Sequence, residues 1–549
     1  MAKDADLSCQ RRLASSIFVK PIDASFRWHD KMITIALILL AYFIQTHLVI
    51  SGDVAFLAMA ADRLLAGGHY ASDFFETNPP MNIYLYIPAC LIAKYFALSM
   101  TAALRIYIFA VALTSLSLCY YLLSLSCQLR LETSKVNCHP ARRRGIQLPS
   151  IVPRGPVIVA LQYTLVFVLF IVPANQFGQR EHFLLMLSLP YLFSVVLRLE
   201  RKTIPITLSI VIGLLAGVGF ALKPFFLITP ALVELFLIWQ KKSALTLFRV
   251  EALTIAAVIL SSLAVTWLFH RDYLLIILPV VFHYYFPAKT HPWLSFFESP
   301  FVVYCLAAIV FYAMVYRFTR YRYLSAVLFL ALLGFIAAFT IPRAPWFYHV
   351  LPALGVAYLL TVLLFADVVL AYLATPVMVL LVGVLMFFSP VLTTIEQTTY
   401  WLADAKWGQT AALTAYFNRL PAGPLYCFSG RTTADCFPLV ENTHRSFGSR
   451  QTFFWWMNGM VKDVYYPSLH HQPIPQNTWR DFMVLSTLTA DDLNHYQPAF
   501  IMVNAFEESV YGEDFHFIAF LSRNENFKRA WQPYRFLSRV GDIEIYKRG

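Results

Sequence analysis

Residues 81–98 read MNIYLYIPACLIAKYFAL, an apolar stretch with Lys94 as its one charge, introduced by Pro79-Pro80. Whether this stretch crosses a bilayer fixes the topology of everything after it. Spanning a ~30 Å hydrocarbon core takes about 20 apolar residues. Longer or comparable apolar runs lie near 32–50, 103–125, 156–173, 183–198, 204–222, 224–239, 250–269, 300–315, 325–341, 350–367 and 376–389. The basic residues fall between them: Lys3, Arg11, Arg12, Lys20, Arg27 and Lys31 before the first run, a stretch in 126–155 that includes Arg142, Arg143 and Arg144, then Arg198/Arg201/Lys202, Lys241/Lys242/Arg249 and Arg317/Arg320/Arg322. If 81–98 does not span, all five groups share one side, as the positive-inside rule requires. The stretch is then read as a juxtamembrane or re-entrant helix on the outer side, buried by protein.

Composition agrees. Of 549 residues 59% are hydrophobic and 13% charged, against about 25% charged in soluble domains. The net charge of +12 is a set of topology signals rather than a nucleic-acid footprint, so no nucleic-acid partner is expected. The expected fold class is an α-helical multi-pass membrane protein of about eleven spans with a small C-terminal α/β domain. Residues 1–31 are read as a cytoplasmic tail, 32–389 as the transmembrane domain with an outer loop 51–102, and 390–549 as an extracytoplasmic domain. There Pro424–Phe428 and Phe500–Val503 read as strands, and Ala411–Asn418 and Asp514–Ser522 as helices. Cys427 and Cys436 are the one cysteine pair in that polar part; a disulfide, if the domain is exported, and two free thiols are both compatible with the sequence. The setting is the plasma (inner) membrane, with membrane lipids as surroundings.

The outer loops carry charges that an anchor does not need. They are Asp53 after the first run, Asp73 to Pro80 containing Glu76, Gln179-Arg180-Glu181-His182, Lys223-Pro224, and Pro342 to His349 containing Arg343 and Tyr348. Cations can hold a phosphate, and a carboxylate can take a proton from an attacking hydroxyl. Each residue also has a bland reading: Asp53 as a cap or a partner of Arg63, Glu181 paired with Arg180, Lys223 and Arg343 snorkelling to the interface, His182 as an interface hydrogen-bonder, Trp455-Trp456 as core.

At these positions the chain resembles the GT-C superfamily of membrane glycosyltransferases, its protein O-mannosyltransferase and aminoarabinose-transferase-like branch. The resemblance rests on Asp53 after the first span, Phe75-Glu76-Thr77-Asn78-Pro79-Pro80 before an apolar segment, and Glu181 opening the fourth span. It also rests on a Gly-rich span ending Leu222-Lys223-Pro224, and on Arg343, Tyr348, Leu351 and Pro352 before a late span. It implies transfer of a sugar from a polyprenyl-phosphate donor to a glycan, lipid or protein acceptor on the outer face, by base-assisted inverting displacement. Asp53 would be the base and Glu181 a second acidic group or metal ligand. Lys223 and Arg343 would hold the phosphate, with Tyr348 and Glu76 also at the substrate. Arg180 and His182 join the site by adjacency. No cofactor is certain, and a divalent cation stays open. The alternatives are a transporter or flippase of lipid-linked sugars, disfavoured because no repeat is visible and the ionisable groups sit at span ends, and a surface-polysaccharide polymerase or ligase.

Overall fold

A computed structural model of the chain describes residues 24–136, 154–289, 291–369, 376–430, 436–512 and 514–549. Most of the expected cytoplasmic tail and Arg142–Arg144 lie outside the described residues. Each of the eleven expected runs is helical. Six helices are long and apolar enough to cross a membrane: Met100–Leu125, Arg180–Leu199, Pro224–Lys241, Val250–Phe269, Arg322–Thr340 and Phe347–Val369. Lys31–His47 and Gly52–Leu65 form a pair bent by 81°. Val157–Ile171, Ile206–Ala221 and Pro300–Val315 are shorter, and the helix Pro376–Trp407 covers the last run. The protein is a multi-pass membrane protein.

The deciding stretch is two short helices, Met81–Tyr84 and Ile87–Phe96. Ten residues rise ~15 Å, half of what a span needs. Its polar groups are tied to other loops: the Asn82 amide donates to Leu222 O (2.8 Å) and the Tyr86 hydroxyl to Gly178 O (2.7 Å). The segment is held by protein, as backbone at membrane depth must be.

Arg180–Leu199 and Phe347–Val369 form the centre of the bundle, buried along nearly their whole length. Around them Ile206–Ala221 packs on Val250–Phe269 at close range. A methyl group on Gly213 would stand 2.7 Å from Thr254 Cβ, and one on Gly217 2.8 Å from Val258 Cβ. Small residues at a helix interface let two spans approach where no hydrophobic force drives them together, which explains the glycines of that span.

Much of the expected outer loop 51–102 is also helical. Gly52–Leu65 carries Asp53 in its first turn, where the helix dipole favours a carboxylate. It buries Val54, Phe56, Leu57 and Ala58 beneath the C-terminal domain, with Phe56 edge-on to Phe437 at 5.3 Å. Pro376–Trp407 runs through the expected boundary at 389/390. Its 32 residues span ~48 Å, so its last turns stand above the membrane and carry Trp401 and Asp404 to the site.

The C-terminal domain holds a four-stranded sheet: β1 (Leu425–Phe428), β2 (Phe500–Asn504), β3 (Tyr534–Val540) and β4 (Ile543–Arg548), in the order β1-β2-β4-β3. β1 and β2 are parallel, and the other pairs antiparallel. Every residue of β1 and β2 is buried, as strands covered on both faces are. Helices Gln409–Phe417 and Phe517–Leu521 fall where the sequence places helices, and Cys427 and Cys436 are joined by a disulfide. Trp455 and Trp456 are core residues.

Candidate active site

The two most buried spans begin with Arg180-Glu181 and Phe347-Tyr348-His349. The fold therefore sets these polar residues at one end of its most buried helices. Above them lies a cavity of about 950 Å³ between the bundle and the C-terminal domain. Asp53, Glu76, Arg180 and Tyr348 all line it. The Arg180 guanidinium stands between the carboxylates: Nη2 is 3.3 Å from Asp53 Oδ2 and Nη1 3.8 Å from Glu76 Oε1. Gln179 Nε2 donates to Ser51 Oγ (2.9 Å) and Asp53 Oδ2 (3.3 Å), which fixes Asp53 from the side. Glu76 Oε1 accepts the Asn78 backbone N–H at 2.9 Å and bonds to the Thr77 hydroxyl and the Asn78 amide. Arg63 is not the partner of Asp53; it donates to the carbonyl oxygens of Asp73, Phe447 and Ser449.

Glu181 and Lys223 form a separate pair behind this wall. Lys223 Nζ is 2.5 Å from Glu181 Oε1, both side chains are buried, and neither lines the cavity. Burial of opposite charges together is what makes either tolerable there. His349 adds to the pair: its Nδ1 faces Ala344 O at 2.9 Å, and its Nε2 lies 3.8 Å from Glu181 Oε1.

His182 points elsewhere. Its Nδ1 accepts the Gly178 N–H (3.1 Å) and its Nε2 donates to Leu169 O (2.9 Å), a neutral tautomer that ties the Gly178 turn to the bundle. Arg343, at a turn with φ +49°, also stays outside the cavity. Its guanidinium lies 5.0 Å over the Trp293 ring and 3.3 Å from His291 O, so it braces the segment that brings His291 to the cavity.

Sequence reasoning did not find the upper wall. Asn458, Lys462 and Tyr466 come from the C-terminal domain, Trp401 and Asp404 from the helix extension, and His291 from the 270–299 segment. The Tyr511 hydroxyl donates to Asn458 Oδ1 at 2.7 Å and that of Tyr466 to Tyr511 O at 2.9 Å, a fixed polar surface. Lys462 is exposed and forms no ion pair among the described residues. Nothing in these isolated polar residues, spread through mixed sequence, signals convergence. Among the described residues no group of three or more His, Cys, Asp or Glu side chains could hold a metal ion; Asp53 and Glu76 both face Arg180.

No family model matches the chain, and no curated protein matches its sequence. Two crystal structures of ArnT from Cupriavidus metallidurans do match its fold. The one bound to undecaprenyl phosphate has a TM-score of 0.52 at 10% identity, covering 94% of this chain and 97% of that one. The apo structure has a TM-score of 0.52 at 11% identity, covering 95% and 98%. The fold is GT-C-like. Within that GT-C-like fold the likeness runs through both the bundle and the C-terminal domain, since almost the whole of each chain is covered.

Proposed function

We propose that this chain is a glycosyltransferase that moves a sugar from a polyprenyl-phosphate donor to an acceptor on the outer face of the membrane. The observation that carries the reading is Arg180 set between Asp53 and Glu76 on the wall of a large cavity at a membrane–water boundary. The GT-C-like fold, shared with a protein crystallised with undecaprenyl phosphate, supports it.

Asp53 takes the proton of the acceptor hydroxyl. The acceptor oxygen then bonds to the anomeric carbon, the carbon–oxygen bond to phosphate breaks, and the polyprenyl phosphate leaves with the electron pair. One displacement inverts the anomeric centre. Arg180 is the first cation available to that phosphate, because its contacts to Asp53 and Glu76 are long and leave its planar fork able to turn to a phosphate oxygen. A guanidinium already at a partly water-excluded wall, needing only that turn, stabilises charge at little reorganisation cost. Lys462 offers a second cation from the opposite wall. Glu181 and Lys223 act from behind, holding the start of the Arg180 helix in place. The acceptor enters from the polar side made by Asn458, Lys462 and Tyr466.

The disulfide fits an oxidising compartment for the C-terminal domain, with the basic clusters on the cytoplasmic side. The 81° break lies at the outer end of the first span rather than at mid-membrane, which supports transfer over transport.

The test is mass spectrometry of envelope lipids and glycans with and without the gene, followed by reconstitution of the purified chain with polyprenyl-phosphate sugars. Gene-dependent loss of one sugar modification, restored in vitro by a lipid-linked donor, is expected. An unchanged envelope together with no turnover of any lipid-linked donor would remove the reading.

A further inference from the structure

Two of the basic groups noted in the sequence, Arg198/Arg201/Lys202 and Lys241/Lys242/Arg249, converge at the end of the bundle away from the cavity. The Arg180–Leu199 helix sets the separation. Eighteen residues from Arg180 to Arg198 correspond to ~27 Å at ~1.5 Å per residue, close to one hydrocarbon thickness. There a pocket of about 330 Å³ is lined by Arg198, Lys241, Thr246, Phe248 and Arg249.

The pocket is built rather than incidental. Glu251, wholly buried, accepts Arg198 Nε (3.1 Å), Arg198 Nη2 (2.8 Å) and the Ser209 hydroxyl (3.0 Å). Glu234 accepts both Arg249 terminal nitrogens (2.8 and 2.5 Å) and the Tyr191 hydroxyl (2.5 Å). Both guanidinium groups are thus fixed from behind at the pocket wall. Among the described residues Lys241 Nζ donates to a backbone carbonyl, Leu199 O at 3.4 Å. Arg201, Lys241 and Lys242 form no ion pair among the described residues. Six cations (198, 201, 202, 241, 242, 249) stand against three carboxylates (200, 234, 251), an excess of three.

The rim is apolar. Phe248, which lines the pocket, is 69% exposed on the short 3-10 turn Ala244–Phe248 that precedes the next span; Leu245 of the same turn is 75% exposed, and Trp239, near the end of the helix Ile228–Lys241, is 71% exposed. A cationic pocket beneath exposed apolar side chains at a bilayer interface matches an amphiphile: phosphate among the cations, acyl chains along the rim. A free phosphate would use the cations but would leave the apolar rim without a role.

We propose that this pocket binds the phosphate of an anionic phospholipid, at a site separate from the catalytic cavity and independent of the transferase reading. The purified full chain is exchanged into mixed vesicles of phosphatidylglycerol and phosphatidylcholine, re-extracted, and its retained lipid counted by native mass spectrometry. Phosphatidylglycerol should be retained in preference. Lys241→Gln/Lys242→Gln should lower that retention about tenfold, and Phe248→Ser less, each with an unchanged elution volume. Inorganic phosphate at millimolar concentration should leave thermal unfolding unchanged. Equal retention of the two lipids by the unmodified chain would overturn the proposal, as would undiminished retention in a folded double variant. A stabilisation by inorganic phosphate equal to that by phosphatidylglycerol would replace the lipid with a free anion.

Discussion

Lys223 Nζ lies 2.5 Å from Glu181 Oε1, a charge pair sealed between the start of one span and the turn joining two others. Such pairs respond unequally to single and double changes. Glu181→Gln or Lys223→Met alone leaves one buried charge without its partner and should cost about 3–5 kcal/mol. The double variant removes both charges and should recover most of that loss. Thermal unfolding in detergent, run as a double-mutant cycle, measures it. Activity separates two roles for Lys223. If it only holds the helix start, the refolded double variant keeps much of the transfer rate; if it meets the donor phosphate, the double variant is stable and inactive.

Asp53 is placed differently. Its side chain is 27% exposed and its contacts to Arg180 and Gln179 are both 3.3 Å, a looser setting than that of the sealed pair. Asp53→Asn keeps the shape and removes the basic oxygen. Transfer should fall by about 10²–10⁴-fold, with unfolding temperature and membrane insertion nearly unchanged. The assay is initial rate with a polyprenyl-phosphate sugar in liposomes. Wild-type rates in this variant would remove Asp53 from the reaction.

Gly178 sets the entry to the Arg180 helix. Its φ is +87°, and a methyl group there would also run into Ile108. An L-residue in this conformation costs about 1–2 kcal/mol, and Gly178→Ala should lower stability by at least that much. Ile108→Ala in the same chain relieves the contact and leaves the backbone strain, so only partial recovery is expected. Because Gly178 N–H is also the donor to His182, the turn, and with it Arg180, should shift and slow transfer as well. Thermal unfolding and rate measured on the three variants distinguish strain from contact.

What could be read in the sequence was what repeats or must be long. All eleven apolar runs are helices because a span needs many consecutive apolar residues and little else. The Ile87–Phe96 helix, at ten residues, is too short to cross, in line with the reading that charge placement suggested. The loops that meet at the cavity were legible from charge alone, since ionised groups beside a membrane stand out. The partners were not. Adjacency suggested Glu181 with Arg180, yet on the Arg180–Leu199 helix successive residues point about 100° apart: Arg180 faces the cavity, Glu181 faces Lys223 and His182 faces Leu169. Lys462 and Asn458 come from a domain whose docking depends on tertiary contacts, and no local pattern encodes those.

That docking gives the last prediction. Arg63 donates to Asp73 O (2.7 Å), Ser449 O (2.6 Å) and Phe447 O (2.8 Å), and it lies 5.1 Å over the Tyr496 ring. One guanidinium therefore ties the first outer loop to the C-terminal domain through a planar fork that an ammonium cannot copy. Arg63→Lys should leave at least one carbonyl without its donor and loosen the domain by about 2–3 kcal/mol. Limited proteolysis should release the C-terminal domain faster, and transfer should slow because Asn458 and Lys462 no longer face Arg180 steadily. The nearby exposed pair Lys94–Asp62 (2.8 Å) is the control. Lys94→Gln removes an ion pair just as short, but between half-exposed side chains, where such pairs contribute about 0–1 kcal/mol. Equal proteolysis of the two variants would mean that the domain is held by its apolar contacts, Phe75 against Trp455 and Phe56 against Phe437, with Arg63 adding little.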